Sequence, residues 1–463
     1  MKDLIIIALL GFAVYANALG NSFVSDDITA ISENPYIGNM LSNNSLPGCV
    51  NSLIYQVSKL EPAPYRLVNI LTHIVNSLLV FFFLRLFFSR AASIWGALIF
   101  AAHPVHVEAV AWISGKPHLF SAFFVLSSFL LYNAATSGPK LKIGRLAASL
   151  IAYLCGLYST VFTFVFPAML ILYDYTFERW RRTWKLWFIF LCVTALRAFF
   201  MLSSINDRIS AIGKEAGQSG LSDPIFNMVY SVFYHFCLLI WPAKLTIYHE
   251  PYLVSFYLLM IGVAIMAAAV LLLPFLFKKT KPVFFAIAIF VLFLAPTYSP
   301  VMISWLIAER YLYLPSLAFC VFAAFLIDRY AARARPLFSR AAYIGLIFLI
   351  IGYSARTVVR NFDWRDHASI WRATEKVSPY SSRAHNNMGD VYCREGDLDK
   401  AAGEFQRAIE LDPKYADAYH NLANTYEEMG RPDDAIVNYT KALYLNPNLY
   451  QSRQRLKALS DKK

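Results

Sequence analysis

Apolar runs alternate with short charged loops from residue 4 to residue 359, and from about residue 363 the pattern stops. A helix needs about 20 apolar residues to cross a bilayer. The runs at 4–20, 67–88, 91–112, 118–134, 145–158, 160–177, 184–203, 251–277, 282–302, 309–328 and 340–359 are therefore expected to be spans. The first lacks a small-residue cleavage site after it and reads as a retained signal-anchor. Residues 225–242 differ: Asn227, Ser231 and His235 recur every four residues and line one helix face. That pattern predicts an interfacial or re-entrant helix.

Loop charge orients the bundle. With 225–242 left out, one side carries seventeen basic residues, among them Arg85, Arg90, Arg179, Lys278 and Arg340, and the other side carries seven. The positive-inside rule then gives about eleven spans, a cytoplasmic N-terminus and an outer C-terminus. The net charge of +12 follows from those loops and is no nucleic-acid footprint. A composition of 58% hydrophobic and 16% charged residues excludes an ordinary soluble enzyme. The six cysteines include no CxxC and imply no disulfide framework.

The polar tail repeats. Ala384/Ala418, Met388/Leu422, Gly396/Gly430, Ala401/Ala435, Ala408/Ala442 and Pro413/Pro447 are each 34 residues apart. This is the tetratricopeptide (TPR) period, with small residues where paired helices cross. Two full repeats follow a half-repeat at Ala368–Val377, and the polar helix Leu449–Leu459 caps them. Residues 1–362 are thus expected to form an all-α membrane bundle and residues 363–463 a TPR module that docks a partner.

Candidate chemistry lies at the outer ends of the spans. Asp26 and Asp27 directly follow the first span; a carboxylate pair there can accept a proton, orient a hydroxyl or hold a cation. His103, His106 and Glu108 close the third span; they can hold a divalent cation, orient a substrate, or simply cap helix ends. Lys116 follows them. Arg310, after Glu309, opens the eleventh run, where it can clamp a lipid phosphate, snorkel, or pair with Glu309.

Several of these stretches resemble one family. Asp26–Ile31 with Asn34-Pro35, Leu67-Val68-Asn69, His103–Gly115, Glu309–Ser316 and Arg360–Asp366 are similar, in order, to motifs of the transmembrane-and-TPR-containing protein O-mannosyltransferases. The resemblance implies a GT-C glycosyltransferase fold and a polyprenyl-phosphate sugar donor. It also implies inversion at the anomeric carbon, and an acid of the first outer loop acting on the acceptor hydroxyl. Asp26 or Asp27 takes that role, while Arg310, Lys116 and the histidines face the donor phosphate. Two departures stand out: Ser159-Thr160-Val161 replaces a usual Ser-Lys-Glu, and Asn44–Pro47 stands where a Tyr-Arg-Pro is expected.

The resulting expectation is a multi-pass inner-membrane transferase of a bacterium with periplasmic repeats, or its counterpart in the ER membrane with lumenal repeats. It moves a hexose, mannose by resemblance, to protein Ser/Thr. No cofactor is certain, and a divalent cation stays open. A glycan or lipid acceptor is one rival reading, and a non-catalytic TPR scaffold is another.

Overall fold

The computed structural model describes residues 2–40, 43–216, 224–249, 256–298, 305–331 and 335–461, and these form helices joined by short turns with no strand among them. Two compact units emerge: Met1–Leu245 with Val254–Arg365, and Thr246–Leu253 with Asp366–Lys463. The division falls at Arg365/Asp366, close to the composition change.

In the first unit, α1 (Lys2–Ala13), α2 (Leu46–Ser58), α3 (Pro62–Leu84), α4 (Arg90–Ala102), α5 (Val107–Ala111), α6 (Lys116–Thr136) and α7 (Ile143–Leu157) come first. They are followed by α8 (Phe166–Thr176), α9 (Trp180–Ala216), α10 (Pro224–Ile240), α11 (Phe256–Lys279), α12 (Lys281–Leu294), α13 (Leu317–Arg329) and α14 (Pro336–Asp363). The centre is α3, which packs against α1, α4 and α6, while α4 also meets α13.

Among the described residues, five helices are long and apolar enough to cross a membrane: Pro62–Leu84, Ile113–Thr136, Trp180–Met201, Met260–Lys279 and Pro336–Asp363. A sixth arises if Arg90–Ala102 and Pro104–Ala111, bent by 48°, count as one span. Several predicted runs thus fold as shorter pieces. The 91–112 run breaks at His103-Pro104, because proline lacks an amide hydrogen and disfavours helix in the residue before it. The 4–20 run stops at Ala13 and resumes as one 3₁₀ turn at Ala16–Ala18. The 309–328 run opens as a 3₁₀ turn, Glu309–Leu312, before α13 begins.

The unit exposes large apolar side chains to its surroundings and holds charged and amide groups within its core. Leu9, Phe199, Leu271, Leu337 and Phe348 are exposed, whereas Arg66, Asn69, His73, Asn76, Glu108 and Arg360 are buried. Only a lipid solvent makes that inversion favourable, and the chain is a polytopic membrane bundle. Its interior polar groups pair with each other: His73 Nδ1 meets the Tyr313 hydroxyl at 2.7 Å, and Asn76 Nδ2 donates to the Leu119 carbonyl at 3.0 Å. The predicted polar face of 225–242 also turns inward, since Ser231 and His235 on α10 are buried and Ser231 donates to the Leu306 carbonyl. Asn227's side chain lies outside the described residues.

The second unit holds α15 (His367–Val377), α16 (Ser382–Glu395), α17 (Leu398–Leu411), α18 (Ala416–Glu428), α19 (Pro432–Leu445) and α20 (Tyr450–Ser460). They are the half-repeat, the two pairs and the cap that the 34-residue period predicts. Ala384, Ala401, Ala408, Ala418, Ala435 and Ala442 are all buried at the crossings. Asp366, Ser381 and Asp397 cap their helices by accepting from the amides of Ser369, Ala384 and Lys400.

Candidate active site

The acid pair sits on a loop that three segments of the first unit grip. Arg66, fully buried on α3, uses its guanidinium on backbone carbonyls. Nε donates to Ala111 O at 2.8 Å, Nη2 to Ser22 O at 2.7 Å, and Nη1 to Asn21 O. One turn later Asn69 Nδ2 donates to the carbonyls of Trp112 (2.9 Å) and Val110 (3.3 Å). The end of α14 closes the other side. Asn21 Nδ2 donates to Asn361 O at 3.0 Å, Asn361 Nδ2 to Val14 O at 2.8 Å, and the Ser22 amide to Arg365 O at 2.8 Å. Helix ends leave carbonyls without intrahelical donors, and here side-chain amides and a guanidinium supply them.

The two acids part company. Ser25 adopts φ +51°, a left-handed conformation that costs a serine about 1 kcal/mol. Beyond this kink Asp26 faces solvent, with Ser25 Oγ at 3.4 Å from its Oδ1, while Asp27 is fully buried. Asp27 Oδ1 accepts from the Ser114 amide at 2.8 Å and from Ser114 Oγ at 2.6 Å, and Oδ2 accepts from the Val24 amide at 3.4 Å. Burial raises the Asp27 pKa to about 6, against the pull of the Ser114 hydrogen bonds and of Arg66. Asp27 thus pins the loop to the Trp112–Lys116 turn and leaves Asp26 presented.

That turn depends on Gly115. A Cβ there would stand 2.6 Å from the Ala109 carbonyl oxygen and 2.8 Å from the Glu108 one, so only glycine lets the chain fold back on α5.

Glu108, Arg310, Glu309 and Arg360 form a buried charged layer next to it. Glu108 Oε2 accepts from the Arg310 amide at 2.7 Å, and Oε1 pairs with Arg310 Nη1. The Arg310 guanidinium carbon lies 5.5 Å from the Trp112 ring centre and 5.0 Å from that of Tyr311. Glu309 lies 3.6 Å from Arg360 Nη2, and Arg360 Nη1 meets Asp363 at 2.9 Å. Arg310 therefore pairs with Glu108 rather than with its neighbour Glu309. Lys116 is buried, donates from Nζ to Asn51 Oδ1, and sits 5.7 Å from the Tyr65 ring centre.

The histidines are used elsewhere. His103 Nε2 donates to Leu239 O at 3.0 Å while its Nδ1 accepts from the Val105 amide. His106 donates from Nδ1 to Phe100 O at 3.0 Å and meets Ser316 Oγ at 2.9 Å through Nε2. With Glu108 committed to Arg310, these three do not converge as a ligand set among the described residues. Asp27, Glu108, Lys116 and Arg310 are gathered around the 108–116 segment, with Asp26 exposed beside Asp27 in the chain; His103 and His106 are not part of that gathering.

Sequence reasoning missed Arg66, Ser114 and Arg360. Arg66 carried a signal, being a charge at the head of an apolar span. The Ser159–Val161 departure remains, and Val161 packs against the apolar cluster of Tyr230, Leu306 and Tyr311.

Comparison with known proteins matches residues 389–430 to the family described as TPR repeat and residues 416–449 to Tetratricopeptide repeat. Over 89% of its length the chain is 24% identical to the mouse (Mus musculus) Protein O-mannosyl-transferase TMTC3, of which it covers 51%. It is 24% identical to Protein O-mannosyl-transferase F38B6.6 of Caenorhabditis elegans, over 90% of this chain and 63% of that one. A stretch making up 25% of the chain is 31% identical to the Drosophila melanogaster Protein O-mannosyl-transferase Tmtc2, covering 12% of it. The chain spans between about half and two thirds of the length of the first two. These relatives are all named protein O-mannosyl-transferase, and the chain is similar to the first two over most of its own length.

Proposed function

We propose that this chain is a membrane protein O-mannosyltransferase of the inverting GT-C type, with its site on the outer face of a bacterial inner membrane. The donor is a mannosyl polyprenyl phosphate and the acceptor a Ser or Thr hydroxyl of a protein. The observation that carries this reading is the split between an exposed Asp26 and a buried Asp27 tied to Ser114.

A hydroxyl is a weak nucleophile at neutral pH. Asp26 accepts its proton as the oxygen attacks the anomeric carbon from the face opposite the phosphate. The new carbon–oxygen bond forms as the bond to the phosphate oxygen breaks, and polyprenyl phosphate leaves with the electron pair. Arg310, held by Glu108, offers its remaining N–H groups where the phosphate charge develops. Asp27 and Arg66 fix the loop so that Asp26 does not wander, since small misplacements of a base are costly. The repeats dock the acceptor or a partner.

The test is reconstitution of the purified chain in liposomes with synthetic mannosyl polyprenyl phosphate and a Ser/Thr-rich peptide. A mass gain of one hexose on the peptide, lost in Asp26→Asn, is the expected result. No transfer by a chain that binds the donor would overturn the reading and favour the scaffold. Arg310→Lys keeps the charge and loses the planar fork, so donor affinity should fall; unchanged affinity removes Arg310 from the donor site. A cysteine at Asp433 should react with an impermeant thiol reagent in spheroplasts if the repeats are periplasmic, and labelling only after lysis reverses that orientation.

A further inference from the structure

The repeat unit contains a cluster that neither helix packing nor the proposed transfer uses. Glu375 on α15, His385 on α16 and Glu404 on α17 bring one ligand atom each within 4.8 Å of one another. His385 Nδ1 lies 2.7 Å from Glu404 Oε2 and 3.9 Å from Glu375 Oε1. On the other side of the ring, Nε2 is 2.9 Å from the Pro379 carbonyl oxygen.

Hydrogen counting makes this arrangement informative. A carbonyl oxygen only accepts, so His385 Nε2 carries a proton. In the neutral ring, Nδ1 then points a lone pair at two carboxylates, which are also acceptors. Three electron-rich atoms from three helices face one small space, and the contact becomes attractive with either a second proton on Nδ1 or a metal ion between them. The His385 side chain is 10% exposed, which sets it apart from a solvated surface histidine.

We propose that Glu375, His385 and Glu404 bind a zinc-class divalent cation that ties the half-repeat α15 to the first full repeat. The donor set fits: one imidazole nitrogen and two carboxylate oxygens suit zinc, with a fourth position left for water. The Nε2–H to Pro379 bond orients the imidazole and selects Nδ1 as the ligand, the backing that metal-bound histidines generally have. Tetrahedral coordination at about 2.0 to 2.1 Å separates neighbouring ligand atoms by about 3.3 Å. Glu404 must therefore draw back by about half an ångström from its hydrogen-bonded position, and Glu375 must draw closer by a similar amount. Both side chains are partly exposed, with 22% and 33% accessibility, and are free to rotate by that much. The site is independent of the transfer chemistry proposed above.

The experiment uses the full chain in detergent, stripped with a chelator, and titrated with zinc chloride alone by calorimetry. One equivalent should bind with a Kd in the micromolar range or below, and cobalt chloride should give the visible absorption of a four-coordinate ion. Glu404→Gln, which can still accept from His385, and His385→Gln should each weaken zinc binding at least tenfold. Glu375→Gln should weaken it less, and circular dichroism should report unchanged helix content for all three. Wild-type protein that takes up no zinc, holding a proton at His385 instead, overturns the proposal. So does a wild-type zinc affinity in His385→Gln and Glu404→Gln alike, which would place the ion elsewhere.

Discussion

The two units solve opposite problems with the same helices. In the repeats, alanines at 34-residue spacing are buried and ion pairs such as Arg431–Asp434 and Arg407–Glu410 lie in water. In the membrane unit many large apolar side chains are exposed, and guanidinium, carboxylate and amide groups share the interior with the apolar core. The repeats are held by local contacts between successive helices, so each piece is interchangeable. The membrane unit is held near the acid pair by bonds that leap along the chain: Asp27 to Ser114 spans 87 residues and Asn21 to Asn361 spans 340. Buried polar groups are costly to leave unpaired, so those bonds fix one arrangement of the loop. A rigid loop carrying one free acid is what a transferase needs, whereas a docking module needs only its shape and surface.

The harshest way to break this contrast is Arg66→Leu. It removes the donors of three carbonyls, Asn21 and Ser22 on the loop that carries the acids and the buried Ala111 at the end of α5. The membrane unit should lose about 3 to 5 kcal/mol, the range for stripping a partner from buried polar groups and charges. Thermal unfolding in detergent measures it. Hydrogen exchange should meanwhile leave the protection of residues 382–445 unchanged. A wild-type melting temperature would mean that the guanidinium clamp holds nothing.

Next comes the split between the acids. Asp26→Asn should lower transfer by about 10²-fold or more with no change in stability, as expected of a solvated base. Asp27→Asn should lower it less, through a loosened loop, and lower kcat rather than acceptor affinity. Equal loss in both, or none in Asp26→Asn, would assign the chemistry differently. Steady-state kinetics on the peptide assay gives the answer.

How much of this could be read beforehand follows the same divide. The repeats were legible down to the half-repeat and the cap, because a 34-residue period is local information. In the membrane unit, hydrophobicity located the helices, but helix lengths were overestimated wherever a run ended in Pro104 or Glu309-Arg310. Those run ends are where the chain leaves α-helix to present the motif residues. Asp26 and Asp27 stood out as a pair; that one is buried was not legible, since the Ser25 backbone and Ser114 decide it. For Arg310 the sequence offered Glu309, its neighbour, as a pairing partner beside the phosphate-clamp reading, and the partner in the structure is Glu108, 202 residues away.

Acidity separates the units as well. Asp27 has a pKa of about 6 against 3.8 for the free side chain, with burial as the cause, whereas the exposed Asp397 is held below the usual carboxylate range by its hydrogen bond to Lys400. An acid with a raised folded pKa holds its proton more tightly when folded. Its stabilising contribution is full below the unfolded value and fades as pH rises through 6. Lowering the pH from 7 to 5 should therefore stabilise the membrane unit by about 1 kcal/mol through Asp27 alone. Arg66, Lys116 and Ser114 face this carboxyl, so the comparison with Asp27→Asn is what separates its titration from that of its neighbours. Denaturant melts at both pH values, compared between wild type and Asp27→Asn, isolate the effect; an equal pH slope in the two proteins would show that Asp27 does not titrate there.

The mildest test falls on the repeats. Gly396 and Gly430, one period apart, both end their helices in the left-handed region, at φ +81° and +72°. A Cβ at either meets nothing within 4 Å, so alanine there costs backbone strain and no clash. Each substitution should remove about 1 kcal/mol from the repeat unit. Because successive repeats are equivalent and the sites are well separated, the double variant should lose the sum, about 2 kcal/mol. Transfer to a short peptide should be unchanged in all three, since the acid loop has no share in this packing. Denaturant unfolding of the full chain, followed by hydrogen exchange over residues 382–445, gives both numbers. A loss well beyond the sum would show that the repeats, like the membrane unit, depend on contacts that run far along the chain, and the division between a locally held module and a long-range one would fail.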